Sequence, residues 1–198
     1  MGDAGAETEI TLVEPMQVAA QLFTEAAADL ELQAVLQVIV KITVEVLRNG
    51  GTLFTCGNGG SAAQATHIAG ELVGPFYNRQ RRPLRAIPLG FDPSSLTAIA
   101  NDFNYEAAFA RQLEALGRAG DMLWAFSTSG NSRNVLAALE KAKALAIYTV
   151  LFSNHDGGKA RKLADQFLYT PPALTPRVQE LHLLYAHTLC EAIERQLA

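Results

Sequence analysis

Residues 121–139 read Asp-Met-Leu-Trp-Ala-Phe-Ser-Thr-Ser-Gly-Asn-Ser-Arg-Asn-Val-Leu-Ala-Ala-Leu. Met122 to Phe126 is a continuous apolar run of strand length, Val135 to Leu139 opens a helix-like run, and four hydroxyls, on Ser127, Thr128, Ser129 and Ser132, stand between them. A strand that is apolar without alternation is covered on both faces, as in a parallel sheet with helices on either side. A turn that leaves such a strand and enters a helix sets its hydroxyls beside unpaired backbone N–H groups at the positive end of the helix dipole, which makes an anion site. An ordinary N-cap needs one hydroxyl, and this turn offers four.

The same strand-then-helix alternation extends outward in both directions. Thr52 to Cys56, Leu84 to Leu89, Asp121 to Phe126, Ile147 to Phe152 and Gln166 to Tyr169 read as strands. Helices are expected over Ala62 to Val73, near Leu96 to Ala100, over Tyr105 to Leu116, over Val135 to Leu145, around Lys159 to Leu163 and over Pro176 to Leu197. Before the first strand, Val18, Leu22, Leu30, Leu32, Val35, Leu36 and Ile39 recur at helical spacing and give two N-terminal helices that stop at Asn49-Gly50-Gly51. The pattern predicts an α/β fold with a doubly wound, flavodoxin-like sheet and right-handed crossovers. Ligands of such sheets bind beyond the carboxyl ends of the strands where the strand order reverses. A second candidate loop lies at the equivalent place: Gly57-Asn58-Gly59-Gly60-Ser61 leaves the first strand and enters a helix, without the terminal Lys of a Walker motif.

With 198 residues and 49% hydrophobic content, the chain holds one sizeable core. Residues 1–14, rich in Ala, Gly, Glu and Thr, read as a loose terminus, and residues 15–198 as a single domain. A net charge of −4 gives no general attraction to nucleic acid or anionic membrane, and the one basic cluster, Arg79, Arg81, Arg82 and Arg85, reads as a solvated loop or subunit contact. Cys56 and Cys190 fall in apolar segments and are expected as buried thiols. With neither a signal peptide nor a run long enough to span a bilayer, the expected location is cytoplasmic.

Taken together, Cys56-Gly57-Asn58-Gly59-Gly60-Ser61 with His67 and Glu71, Ala100-Asn101-Asp102-Phe103, Ser127-Thr128-Ser129-Gly130-Asn131-Ser132, Asp156-Gly157-Gly158-Lys159, and Val178-Gln179-Glu180-Leu181-His182 with His187 make a recognisable set. In this order and spacing they resemble the phosphoheptose isomerases of the sugar isomerase (SIS) domain family, over almost the whole chain. The resemblance implies a five-stranded parallel sheet between helical layers, a homotetramer with active sites at subunit interfaces, and isomerisation of sedoheptulose 7-phosphate to D-glycero-D-manno-heptose 7-phosphate, a precursor of lipopolysaccharide or other surface glycans. It also implies that Glu71 and His187 act as base and acid. In some members the residues matching His67, Glu71, Gln179 and His187 bind zinc.

The residues suit that chemistry. A ketose-to-aldose isomerisation needs a base to move a proton between neighbouring carbons through an enediol and a second group to move protons between the oxygens. A phosphate held by Asn58, Gly59, Gly60, Ser61, Ser127, Thr128, Ser129 and Ser132 would keep the reacting carbons against the base. Asn101 and Asp102 are expected to cap the next helix or to bind sugar hydroxyls, as the matching family residues do, and the two roles are compatible. His67 and Glu71 are four apart and adjacent on one helix. Gln179 and His187 are separated by about 80° around theirs, so they share a face, while His182 lies about 60° from Gln179 on the other side and reads as a packed, hydrogen-bonded side chain. His155 is expected at the surface. The chain departs from the family at Leu72-Val73-Gly74-Pro75, where Pro75 takes the place of a common Arg. Two alternatives share the serine loops: a tetrameric scaffold resembling the replication-initiator-associating SIS proteins, which generally lack the catalytic Glu and His, and a sugar-phosphate sensor.

Overall fold

The computed structural model describes residues 11–197. Of the terminus expected to be loose, residues 1–10 lie outside the described residues, and the first helix begins at Glu14. Helices α1 (Glu14–Ala28) and α2 (Leu30–Arg48) are separated at Asp29, whose carboxylate accepts from the Leu32 N–H at 3.0 Å as the N-cap of α2 and from the Tyr169 hydroxyl at 2.7 Å.

Then follow β1 (Leu53–Gly57), α3 (Gly60–Val73), β2 (Ala86–Pro88), α4 (Pro93–Asp102), α5 (Ala108–Leu116), β3 (Met122–Phe126), α6 (Arg133–Ala144), β4 (Tyr148–Phe152), β5 (Gln166–Leu168) and α7 (Thr175–Leu197). Single 3₁₀ turns occupy Tyr105–Ala107 and Ala160–Lys162, so the helices expected to start at Tyr105 and to span Lys159 to Leu163 are shorter than their apolar pattern suggests. The strand expected over Leu84 to Leu89 narrows to three residues. Its flanks still bond, Leu84 N–H to the Leu72 carbonyl and Leu89 N–H to the Thr55 carbonyl.

The five strands are parallel and lie in the order β2-β1-β3-β4-β5. The chain leaves β1 toward one edge and returns to the other side of it, so the order reverses between β1 and β3. Side chains alternate between two cores across the sheet: Trp124, Phe126 and Phe152 pack with α2, α3 and α7, while Leu123, Ala125 and Leu151 pack with α5 and α6. That division explains why the strands read as unbroken apolar runs. Cys56 and Cys190 are both free and buried, one in each core.

Candidate active site

Both loops that flank the reversal end at an open helix start. Gly59, the N-cap of α3, and Ser132, the N-cap of α6, supply no side-chain bond to their helices. Ser132 therefore occupies the capping position without capping, and its hydroxyl faces that of Ser127 at 3.4 Å. Ser61 and Ser127 are buried, Thr128 and Ser132 half-buried, and Ser129 exposed. Two helix N-termini and these hydroxyls thus converge on one mouth. Gly130 is needed there: at φ +62° a Cβ on it would lie 2.0 Å from the Gly157 carbonyl oxygen, because the loop after β4 packs directly behind.

Asn58 joins the two loops. Its amide exchanges two hydrogen bonds of 2.8 Å with the buried Asn134 of α6, and its Oδ1 also accepts from the Tyr105 hydroxyl at 2.9 Å. Asn134 and Tyr105 were not foreseen. The available signal was a polar residue two places after Ser132, at the start of an otherwise apolar helix face.

The second half of the site lies where α3 and α7 run side by side. His67 Nε2 and His187 Nε2 are 2.8 Å apart, and His67 Nε2 is 3.3 Å from Glu71 Oε1. His67 is 46% exposed at its side chain and Glu71 25%, so the carboxylate is reachable yet largely shielded. Burial lowers the His187 pKa, the neighbouring His67 lowers it further and Glu71 opposes both, so the surroundings favour the neutral ring. One ligand atom from each of His67, Glu71 and His187 lies within 4.8 Å of the others, and imidazole nitrogens with a carboxylate are donors that suit zinc.

Gln179 meets α3 lower down. A Cβ on Gly60 would lie 2.6 Å from Gln179 Nε2, and Gln64 Nε2 donates to the Gln179 carbonyl at 2.5 Å. Gly60 to His67 is about 10 Å along α3, and Gln179 to His187 about 12 Å along α7, so the two contacts match on helices running in the same direction. The two pairs meet within one chain, with Gln179 at the phosphate end and the histidines at the other.

Asn101 and Asp102 form the exposed last residues of α4, where Asn101 Nδ2 donates to Asp102 Oδ1 at 2.8 Å. They do not cap the next helical segment; Asn104 does, accepting from the Ala107 N–H at 2.9 Å. His182 is buried beside the Phe126 and Phe152 rings, and burial pushes its pKa down to about 4 against an opposing contact with the Ser153 backbone. It is packed as expected, but among the described residues neither ring nitrogen has a partner of hydrogen-bonding geometry. His155 is exposed beside Asp156.

The arginine cluster requires a correction. Arg79, Arg82 and Arg85 are exposed, but Arg81 is buried against Glu194 of α7, with Nε 2.8 Å from Oε1. Burial alone would raise the Glu194 carboxyl; Arg81 and the N–H groups of Tyr77, Asn78 and Phe76 outweigh it and hold the pKa down at about 2. The exposed Pro75 follows the end of α3, and the next residue, Phe76, places its ring 5.8 Å from that of His187. The departure from the family pattern is therefore one residue from a ring that edges the histidine pair.

Residues 16–153 match the family model described as SIS domain. The phosphoheptose isomerase of Helicobacter pylori (strain P12) is 52% identical over 167 residues, which cover 84% of this chain and 86% of that protein. A solved phosphoheptose isomerase from Francisella tularensis is 32% identical with a TM-score of 0.88, covering 94% of this chain and all of that one. A second, from Neisseria gonorrhoeae, is 36% identical with a TM-score of 0.83, covering 93% of this chain and all of that one. A match of this extent, on a fold and a site that agree with it, places the chain in the SIS domain family, among the phosphoheptose isomerases.

Proposed function

We propose that the protein is an aldose–ketose isomerase that converts sedoheptulose 7-phosphate to D-glycero-D-manno-heptose 7-phosphate, a heptose precursor of lipopolysaccharide or other surface glycans. The observation that carries this reading is the contact of His67, Glu71 and His187 between α3 and α7, on the same helix whose open N-terminus helps form the phosphate mouth. A scaffold or a sensor would use the mouth without needing the contact.

In the proposed reaction the phosphate is held by the hydroxyls of Ser61, Ser127, Thr128, Ser129 and Ser132 and by the chain at Asn58, Gly59 and Gly60. Gln179, Asn101 and Asp102 take sugar hydroxyls, and Pro75 shapes the edge of the sugar site. The Glu71 carboxylate removes a proton from C1 of the open-chain ketose as the C1–C2 double bond of the enediol forms. His187 delivers a proton to the C2 oxygen and accepts one from the C1 oxygen, and the proton on Glu71 then passes to C2. No oxidant or second substrate is needed, because the electron pair stays within the sugar.

Zinc is part of the proposal. His67, Glu71 and His187 would hold it, and it would supply polarisation of the carbonyl oxygen; Gln179, the fourth residue of the expected set, rests instead against Gly60 at the phosphate end of α3. Zinc titrated into metal-free protein is expected to bind once per chain by calorimetry and to lose that binding in His67→Ala; equal heats for both proteins would exclude this set of ligands.

A homotetramer with interface active sites, as in the resemblance, belongs to the proposal; association of chains is supported by exposed apolar side chains at and just before the start of α1, Leu12, Val13 and Met16, of which Leu12 and Met16 line a groove of about 730 Å³ with Arg177 and Glu180 of α7. Among the described residues no helix is long and apolar enough to cross a membrane. A cytoplasmic location, and residues 15–198 acting as one SIS domain, belong to the same proposal.

The reading is tested by incubating purified protein with sedoheptulose 7-phosphate and identifying the product by NMR. D-glycero-D-manno-heptose 7-phosphate is expected. A wild-type rate no higher than that of Glu71→Gln would sink the isomerase assignment.

A further inference from the structure

Glu71 and His187 stand on different helices, so the separation of carboxylate and imidazole depends on what locks α3 to α7 near them. A buried ion pair does so. Glu194 lies about two turns beyond His187 on α7. Its carboxylate accepts from Arg81 Nε at 2.8 Å and from the N–H groups of Phe76, Tyr77 and Asn78 at 3.0, 2.7 and 3.0 Å. The remaining donors of Arg81 turn back to α3, reaching the carbonyls of Leu72 at 3.0 Å, Glu71 at 3.2 Å and Gly74, and also that of Arg82 at 2.7 Å. The Arg81 and Glu194 side chains are 1% and 5% exposed.

The last carbonyls of a helix have no partners of their own. Here a guanidinium takes those at the end of α3, its counter-ion belongs to α7, and the turn held by that counter-ion presents Phe76 to His187. Such a buried pair adds little net stability compared with well-packed apolar replacements. Its fork of directed bonds can fix geometry.

We propose that Arg81 and Glu194 are a positioning pair for the isomerisation: touching neither substrate nor reacting atoms, they hold the turn of α3 that carries Glu71, and the Phe76 ring, in register with His187. The inference rests on the isomerase reading above and adds to it the residues that set its base-to-acid distance.

Arg81→Lys tests it, because lysine keeps the charge opposite Glu194 but has no planar fork to reach three carbonyls of α3. With rates normalised to folded protein, kcat is expected to fall on the order of tenfold to a hundredfold, the cost of a small misplacement of reacting groups. KM is expected to stay within about twofold, since the phosphate mouth lies at the opposite end of α3. Glu194→Gln keeps the size and still accepts from the turn, and should give the same split with a smaller fall. Phe76→Leu leaves the ion pair intact, keeps an apolar side chain against the core and removes the ring that faces His187 and Tyr77, so it covers the case in which both ion-pair variants fail to fold. A purely structural role would lower the melting temperature and the yield of folded enzyme without changing kcat per folded molecule. Wild-type kcat in a folded variant overturns the inference, as does a KM that rises in step with the fall in kcat. With an active wild type, either result leaves the isomerase reading intact. An inactive wild type overturns both.

Discussion

Glu71→Gln should lower kcat for sedoheptulose 7-phosphate by on the order of a thousandfold, within the range by which a positioned general base accelerates a proton transfer. The amide matches the carboxylate in size and can still face His67, so packing at the α3–α7 contact is preserved and only the basic oxygen is lost. KM should hold within about threefold, because substrate binding is assigned to the phosphate mouth at the start of α3 and α6 rather than to the base. Steady-state kinetics on both proteins measures this directly. A kcat within about tenfold of wild type would remove Glu71 from the role of base.

His187→Gln should produce the second large loss, on the order of a hundredfold or more in kcat. In the folded protein burial and the adjacent His67 favour the neutral ring, which can accept a proton from one sugar oxygen and give one to the other. Since Glu71 and His187 serve one proton circuit, removing both should cost little more than removing the worse of the two. The double variant Glu71→Gln/His187→Gln is therefore expected close to Glu71→Gln alone, with zinc content measured for each protein. Losses that multiply would mean that the residues act independently.

Much of this site could be read from residue order. The loops at Gly57 to Ser61 and Ser127 to Ser132 were legible because unbroken apolar strands imply a sheet covered on both faces, and the ligand mouth of such a sheet follows from its topology. The helical spacing of His67 with Glu71 and of Gln179 with His187 fixed which side chains share a face, though not how α3 and α7 would meet. Their parallel packing, which sets Gln179 on Gly60 and His187 on His67, depends on contacts between elements more than a hundred residues apart. For the same reason the burial of Arg81 could not be seen: one arginine among four in a polar stretch carries no local mark of a partner at Glu194. Capping was misread in the opposite sense. Asn101, Asp102 and Asn104 are all chemically able to cap, and only the end point of α4 selects Asn104.

The most direct test of the central claim, that Glu71 carries a proton from C1 to C2 of a ketoheptose 7-phosphate, is isomerisation by the wild type in deuterated water followed by NMR of the product. D-glycero-D-manno-heptose 7-phosphate bearing solvent deuterium at C2 is the expected result, with none formed at a comparable rate by Glu71→Gln. No heptose 7-phosphate at all, or the same product formed by Glu71→Gln at the wild-type rate, would contradict it.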